Sequence, residues 1–299
     1  MSRADPATVP HLFSVDVEDY FQVVALEPWV SRAQWDSLPS RIEASLDRIL
    51  ELLTKHGTLA TFFTLGWIAQ KYPGLVRRIV EVGHEVASHG WWHRRITTLS
   101  PDEFRQEVRE SKATLEDVSG QRVYGYRAPS FSIGPGTEWA FDILLEEGYR
   151  YDSSVFPIRR PDYGHPSSET VPHLINRPAG VLLELPMATT AWLGLRLPAA
   201  GGGYLRQLPY ALTERAFREH GERGVSAMFY VHPWEVDPEQ PRIPGLPWPT
   251  RLRHYRGLER TLPRLERLLQ DFRFTSVARR FGIRSSEEPD HPWAEYLPA

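Results

Sequence analysis

The stretch GTLATFFTLGWIAQKYPGLVRRIVEVGHEVAS, at residues 57–88, contains a strand, a helix and a second strand in succession. Residues 59–65 are a short apolar run typical of a buried strand, and residues 75–82 carry apolar side chains at helical spacing. Gly83 ends this helix, and residues 86–88 predict the next strand. Two strands joined by a helix are typical of a parallel sheet.

The same alternation continues on both sides of this stretch. Apolar runs of strand length occur at 11–17, 123–126, 149–153, 181–185, 226–231 and 274–277. Amphipathic runs with the helical period occur at 41–56, 100–118, 137–147, 213–223 and 258–272. The repeated order predicts an α/β fold that is built on a parallel sheet or a TIM-like (β/α) barrel.

The length of the chain suits one such barrel. With 299 residues and 41% hydrophobic residues, it can bury a large core. Neither an internal repeat nor a convincing linker divides it, so we predict a single domain over residues 1–299. Residues 156–209 are rich in proline, glycine and polar segments, and we predict a loop-rich insertion there. Residues 233–299 form a predicted C-terminal extension.

Composition limits the possible partners and chemistry. The formal net charge of −3 shows no basic excess, so we expect no nucleic-acid partner. The chain has no cysteine, which leaves histidine, aspartate and glutamate as metal ligands. Residues 1–10 lack the pattern of a secretory signal, and no apolar run is long enough for a transmembrane segment. We therefore predict a cytoplasmic protein.

Polar residues that could take part in catalysis or metal binding fall at or just beyond the ends of predicted strands. They are Asp16, the pair His89 and His93, Arg127 and His232. Parallel α/β folds gather their active sites at the carboxyl ends of strands, so these side chains are expected to meet. Two imidazoles four residues apart can reach one metal ion from consecutive helical turns or from a tight loop.

Five motifs in this order resemble the polysaccharide deacetylases of carbohydrate esterase family 4. They are SVDVEDYF at 14–21, GHE with SHGWWH at 83–93, YRAP at 126–129, YDSS at 151–154 and HP at 232–233. The similarity extends to the exopolysaccharide-associated branch of the family, which has a C-terminal extension. That branch is indicated by HPWE at 232–235, DPEQP at 237–241, RHY at 253–255 and DFRFTS at 271–276.

The resemblance implies a distorted, incomplete (β/α) barrel and a metal-dependent hydrolase. Such an enzyme removes N-acetyl groups, at linear amide C–N bonds, from amino sugars of a polysaccharide or oligosaccharide. The branch implies a role in exopolysaccharide biosynthesis. His89, His93 and one carboxylate are the expected ligands of a divalent metal; Zn²⁺ is the expected ion, and other first-row metals would fit the set too.

Amide hydrolysis requires an activated water, a polarised carbonyl group and a proton for the leaving nitrogen. In this scheme Asp16 takes the proton from water, and His232 donates one to the departing amine. Arg127 orients Asp16 and keeps it ionised, because a nearby cation favours a charged carboxylate. The backbone N–H groups of Ser130 and Phe131 are candidates for stabilising the oxyanion.

The first motif departs from the usual pattern of the family, in which two aspartates are adjacent. Here Asp16 is followed by Val17. Glu18 is the favoured third metal ligand, since side chains two residues apart share one face of a continuing strand. Asp19 is its rival.

Further residues beside the motifs are expected to contact substrate or to support the site. Sugar rings stack on aromatic side chains, which makes some aromatic residues near the motifs candidate subsites. The predicted substrate-binding residues are Tyr20, Trp92, Pro129, Ser130, Phe131 and Trp234. Asp152 is expected to support His232 or the site, His84 is expected to be structural, and residues 201–203 are expected to form a mobile rim loop.

Two other functions remain open at this level. The same barrel could hydrolyse another C–N bond, in a cyclic amide or ureide. Alternatively, a catalytically inactive barrel could bind glycans. The expected partner is an N-acetylated glycan for the deacetylase and for the inactive glycan-binding barrel.

Overall fold

The protein is described here by a computed structural model over residues 9–160, 163–192, 194–283 and 297. The strands are β1 (His11–Val17), β2 (Thr61–Thr64), β3 (Glu85–Ser88), β4 (Gly125–Tyr126), β5 (Tyr151–Asp152), β6 (His173–Arg177), β7 (Gly180–Glu184), β8 (Thr189–Trp192), β9 (Leu195–Pro198), β10 (Met228–Val231) and β11 (Phe274–Thr275). The main sheet has the order β10-β1-β2-β3-β4-β5-β7-β6, and β11 also pairs with β1. Its neighbours are parallel except for β6 and β7, while β8 and β9 form a separate antiparallel hairpin.

The sheet curves into a barrel, and very few backbone pairs between strands close it. Beyond β7, a single parallel bridge joins Met187 to Met228 in β10, and the Ala188 N–H donates to the Met228 carbonyl at 3.2 Å. Strands β4 and β5 contribute only two residues each. The expectation of a distorted, incomplete (β/α) barrel is therefore confirmed.

Helices surround the barrel. They are α1 (Ile42–Lys55), α2 (Gly66–Lys71), α3 (Pro73–Glu81), α4 (Pro101–Ser119), α5 (Trp139–Glu146), α6 (Gly202–Gln207), α7 (Tyr210–Glu222), α8 (Trp248–Tyr255), α9 (Thr261–Asp271) and α10 (Val277–Phe281). In the part of the chain that the structure describes, no helix combines the length and the hydropathy needed to span a bilayer.

Helix α4 shows how local signals set an element. The Ser100 side chain accepts the Glu103 N–H, and the Glu103 side chain accepts the Ser100 N–H, which forms a capping box. Pro101 occupies the first turn, where its missing N–H costs nothing. Gly120 ends the helix at a φ of 67°, a conformation that glycine adopts without strain. The helix predicted at 100–118 is confirmed.

Burial along the strands explains their apolar runs. All seven residues of β1 are buried, because one face lines the barrel interior and the other lies under helices. Asp16, near its carboxyl end, is a charged residue among them and is 2% exposed. Since β1, β3, β4 and β10 are parallel, their carboxyl ends lie at the same rim.

Two features of residues 156–209 differ from expectation. Strand β7 pairs in parallel with β5 and is an internal member of the main sheet. Residues 201–203 were expected to form a mobile rim loop, but Gly202 and Gly203 begin α6. A Cβ atom at Gly202 would lie 2.3 Å from Glu235 Oε2, so glycine lets α6 approach the site closely. The predicted C-terminal extension lies partly outside the described residues.

Candidate active site

His89 and His93 lie in a loop that follows β3. The ring centroids are 5.2 Å apart. His89 Nδ1 is 2.8 Å from the Arg127 carbonyl and donates to it, which leaves Nε2 as the atom with a free lone pair. His93 has a φ of 54°, in the left-handed region that non-glycine residues rarely adopt. The tight-loop alternative for the histidine pair therefore describes this structure.

Glu18 is the carboxylate that approaches the two histidines. One ligand atom each from Glu18, His89 and His93 lies within 4.8 Å of the others, and all three residues are buried. Glu18 Oε2 is 2.9 Å from His93 Nε2. That oxygen is buried and accepts no aligned hydrogen bond from the described residues. Two histidines and an unsatisfied carboxylate oxygen converging in this way fit a divalent metal ion.

Asp19, the rival ligand, is occupied elsewhere. Its carboxylate accepts the backbone N–H of Tyr20 at 2.9 Å, the Ser40 hydroxyl at 2.6 Å and the Arg41 N–H at 3.0 Å. These bonds hold the chain just before α1. Burial raises the pKa of Asp19, and the bonds from Ser40 and Arg41 oppose that rise. Asp19 therefore stabilises the entry to α1 and is not part of the histidine cluster.

Asp16 and Arg127 form a buried ion pair beside this cluster. Arg127 Nη1 lies 2.5 Å from Asp16 Oδ1. The guanidinium group is itself fixed by the Ser14 hydroxyl at 2.8 Å and the Ser153 hydroxyl at 2.9 Å, and it stacks 4.0 Å from the Phe63 ring centroid. Charge-assisted bonds in a buried site are strong, so Asp16 is held in one orientation.

His232 faces the same cluster from the end of β10. Its Nε2 atom is 3.0 Å from Glu18 Oε1 and 4.0 Å from Asp16 Oδ2. Its Nδ1 atom donates to Glu235 Oε2 at 3.0 Å. The His232 side chain is 19% exposed, against 2% for that of Glu18, so it can be reached from solvent. The Trp234 ring stacks on the imidazole with the centroids 5.2 Å apart.

The charges in the cluster displace the pKa values of its members. Burial lowers the pKa of His232. The carboxylates of Glu18, Glu235 and Asp16 raise it by more, so the pKa is about 9. Burial raises the pKa of Glu18, and the neighbouring His93 and His232 more than reverse this, to about 2. These shifts favour an ionised Glu18 and a protonated His232.

His89 is shifted in the opposite direction from His232. Burial lowers the pKa of its imidazole to about 4. Only a neutral imidazole can act as a metal ligand, so His89 is in the form that binding requires.

Glu235 and Arg206 are functional candidates that sequence reasoning missed. Arg206 Nη1 lies 2.5 Å from Glu235 Oε1, and both side chains are buried. Arg206 also donates to the carbonyls of Arg253, His254 and Arg256. The sequence signal for Glu235 is its place in the HPWE motif, three residues after His232. Arg206, on α6, lies 29 residues from Glu235 in the chain and carried no signal.

The predicted substrate-binding residues fall into two groups. Tyr20 is fully buried and its hydroxyl donates to the Pro39 carbonyl at 3.3 Å. Trp234 is 6% exposed and packs between His232 and His254. Both side chains are therefore packing residues in this structure, whereas Trp92 is 37% exposed.

Pro129, Ser130 and Phe131 form a tight turn after β4. Ser130 and Phe131 have φ values of 56° and 52°, both in the left-handed region. The Phe131 N–H donates to the Ala128 carbonyl at 3.0 Å. Since that donor is occupied, Ser130 is the better candidate for an oxyanion contact.

Asp152 supports the site indirectly. Its carboxylate accepts the Ser154 N–H at 2.8 Å and the Ser154 hydroxyl at 2.6 Å. Ser154 Oγ in turn accepts the Ala128 N–H at 2.7 Å. Asp152 therefore braces the turn after β4, while the carboxylate partner of His232 is Glu235. The His84 ring is buried and its Nδ1 accepts the Ala60 N–H, which is a structural role.

The fold and the site define a class: a distorted parallel barrel that places a buried carboxylate and histidine cluster at its strand ends. Residues 33–149 match the family model of the polysaccharide deacetylases. This stretch of the chain therefore resembles a polysaccharide deacetylase domain of carbohydrate esterase family 4. Residues 153–282 match a second family model, described as a domain of unknown function (DUF3473).

Similar proteins agree with this assignment. A peptidoglycan deacetylase from Helicobacter pylori is 28% identical over 113 residues, which cover 38% of this chain and 38% of that relative. The match thus spans about two fifths of that relative's length. The crystal structure of a candidate polysaccharide deacetylase from Mycobacterium smegmatis superimposes with a TM-score of 0.61, at 20% identity and 97% coverage of both chains. An allantoinase structure gives a TM-score of 0.57 at 17% identity, covering 93% of this chain and 90% of that one. These two structures show the fold alone.

Proposed function

We propose that this protein is a metal-dependent hydrolase that removes N-acetyl groups from amino sugars of a polysaccharide or oligosaccharide. The observation that carries the proposal is the convergence of Glu18, His89 and His93 within 4.8 Å, beside Asp16 and His232. The peptidoglycan deacetylases among the relatives support this class of substrate.

Glu18, His89 and His93 would hold the metal in this proposal. A divalent metal in this site would supply a Lewis acid for the acetyl carbonyl group and would lower the pKa of a bound water molecule. Zn²⁺ suits two imidazoles and one carboxylate. The hydrogen bond from His89 Nδ1 to the Arg127 carbonyl fixes the tautomer and the orientation of that ring.

Asp16 is the general base in this proposal. It lies at the end of β1 and accepts a proton from the attacking water. Its ion pair with Arg127 is already buried, so the carboxylate is held in place before substrate arrives. The Ser130 N–H, in the turn after β4, would donate to the oxygen that becomes negatively charged.

His232 is the general acid. Its Nδ1–H donates to Glu235, so the proton on Nε2 is the one that faces the reacting centre. Glu235 is in turn held by Arg206, and the Trp234 ring limits rotation of the imidazole. Protonated His232 gives its Nε2 proton to the departing amine nitrogen as the C–N bond breaks.

A role in exopolysaccharide biosynthesis is the finer part of the proposal. It is supported by the resemblance of residues 232–241 and 253–255 to the exopolysaccharide-associated branch. Both segments contribute to the candidate site. His232 and Glu235 lie in the first segment, and the carbonyl of Arg253, in the second, accepts a hydrogen bond from Arg206.

The test is metal analysis of the purified protein, followed by an acetate-release assay. The substrates would be N-acetylglucosamine oligomers and N-acetylated polysaccharides, with allantoin as a cyclic ureide. We expect acetate release that stops when a chelator removes the metal and returns when Zn²⁺ is added. Hydrolysis of the cyclic ureide alone would overturn the proposal. Tight glycan binding without acetate release, unaffected by metal, would assign the barrel to a non-catalytic protein.

A further inference from the structure

An exposed surface that the proposed chemistry does not use lies on and before α8. Trp248 and Leu252, one helical turn apart, are 66% and 41% exposed. They border a groove of about 780 Å³. We call this surface the α8 patch. The lining residues that matter for its chemistry are Arg242, Leu246, Trp248, Arg251, Leu252 and Arg256.

The α8 patch is strongly cationic in a chain that is acidic as a whole. Residues 240–258 contain four arginines and no aspartate or glutamate, whereas the whole chain has a net charge of −3. Three of these arginines, at 242, 251 and 256, line the patch. Within the described ranges, none of these four arginines forms an ion pair. The two carboxylates that flank this segment, Glu239 and Glu259, lie 3.9 Å from Arg41 and 3.5 Å from Arg260. The positive charge of the patch is therefore not neutralised locally.

The opposite face of α8 is locked into the protein. His254 is buried, its Nε2 is 2.9 Å from Gln240 Oε1, and its ring stacks on Trp234 with the centroids 4.4 Å apart. The Tyr255 hydroxyl accepts the Ile243 N–H at 2.9 Å. The helix is thus rigidly held while Trp248 and Leu252 stay in solvent. Their exposure does not come from a loose segment.

We propose that the α8 patch binds the surface of an anionic lipid bilayer. An indole and a leucine side chain would enter the boundary between headgroups and acyl chains, and the arginines would face lipid phosphates. This combination is the recognised physical basis of interfacial binding. An anionic glycan would satisfy the arginines and could stack on Trp248, but it offers no apolar phase for Leu252 and Leu246. A bilayer satisfies all of them.

The first experiment is co-sedimentation of the full chain with vesicles. Vesicles of phosphatidylcholine with about one third phosphatidylglycerol are compared with phosphatidylcholine alone, in about 0.1 M and about 1 M salt, where the Debye length falls from about 10 to about 3 Å. We expect binding to the anionic vesicles at the lower salt and its loss at the higher salt. Equal binding to both vesicles, or binding to neither, would overturn the proposal.

Paired variants locate the contact. Trp248→Ala with Leu252→Ser should weaken vesicle binding at least about tenfold, because it removes the apolar insertion. The matched control is Trp192→Ala with Leu195→Ser on the β8–β9 hairpin, where the side chains are 49% and 66% exposed. We expect the control to bind like the original chain. Equal loss in both variants would refute the assignment to α8.

A second pair tests the charge. Arg251→Gln with Arg256→Gln should weaken binding about fivefold for each arginine removed. The control, Arg109→Gln with Arg122→Gln, removes the same charge from exposed positions elsewhere, with side chains 64% and 70% exposed. We expect it to retain binding, and acetate release should persist in all four variants as a check of folding. Equal weakening by the control would show nonspecific attraction.

Two other occupants are separated by the same assay. Saturable binding of a soluble acidic polysaccharide such as alginate, lost in the Trp248 variant and without any vesicle binding, would assign the patch to a glycan. Residues 285–299 contain four acidic residues and no lysine or arginine. Vesicle binding that arises only after these residues are deleted would assign the patch to the chain's own terminus. Either result overturns the proposal.

Discussion

Replacing Glu235 by Gln tests the origin of the acidity of His232. Glu235 Oε2 accepts from His232 Nδ1 at 3.0 Å, and Oε1 lies 2.5 Å from Arg206 Nη1. Glutamine keeps one oxygen, which Arg206 retains, so its amide N–H groups face Nδ1–H as donor against donor. Protonated His232 thereby loses a charge-assisted bond of about 1.5 to 3 kcal/mol. We expect turnover to fall by about 10- to 150-fold, the same energy expressed as a rate.

The pH dependence should change in a defined direction. Glu235 is among the carboxylates that raise the pKa of His232, so Glu235→Gln lowers that pKa. Since the protonated form is the acid, the alkaline limb of turnover should move to lower pH. The assay is acetate release across pH 5.5 to 9.5, with bound metal and the unfolding midpoint measured on the same samples.

A matched carboxylate controls for nonspecific effects. Glu239→Gln makes the same chemical change at a side chain that is 78% exposed, and it should leave turnover and pH dependence unchanged. Original turnover in a folded Glu235→Gln protein would refute the positioning role of Glu235. Loss of the metal in that variant would show that the damage lies at the ligands, which would also contradict the reasoning.

Three further predictions concern the metal, the acid and the buried histidines. His89→Ala and His93→Ala should each abolish bound metal and turnover while near-native unfolding is kept; full metal occupancy in both would contradict their role. His232→Ala should keep the metal and reduce acetate release by about a hundredfold or more, the scale of a lost general acid. Burial lowers the pKa of His84 to about 4 and of His254 to about 3, below the unfolded value of 6.5. Their stabilising contribution is present above pH 6.5 and is lost as the pH falls towards 4, with a slope of about 1.4 kcal/mol per pH unit for each. Denaturant unfolding of the metal-free protein checks this prediction. A free energy of unfolding that stays the same between pH 6.5 and 4.5 would disprove it.

Elements that depend on local signals were predictable from the sequence. The capping box and final glycine of α4 act within one helix, so its bounds followed from spacing alone. Strand β7 was recognised as an apolar run, yet its place beside β5 was not, because pairing depends on residues about 30 positions apart. The start of α6 at Gly202 also differs from the expected loop, because glycine is a poor helix former and favours a loop in the sequence alone.

The site was predictable to a similar extent. The five motif residues were expected to meet because parallel strands end at one rim, and the structure brings them together. The choice between Glu18 and Asp19 rested on strand alternation, although β1 ends at Val17 and the Glu18 N–H donates to the Asp16 carbonyl in a turn. The structure favours Glu18 through the Ser40 and Arg41 bonds that occupy Asp19, which no periodicity reveals.

The boundary between the two matched regions crosses the active site. His89, His93 and Arg127 lie in the region that matches the deacetylases, whereas His232 and Glu235 lie in the domain of unknown function. That second region also supplies β7, β10 and β11 to the main sheet, and β10 and β11 pair directly with β1. Neither region can complete the barrel or the cluster alone. In the proposed mechanism the second region therefore carries the general acid, His232, and its Arg206 and Glu235 hold that side chain in place.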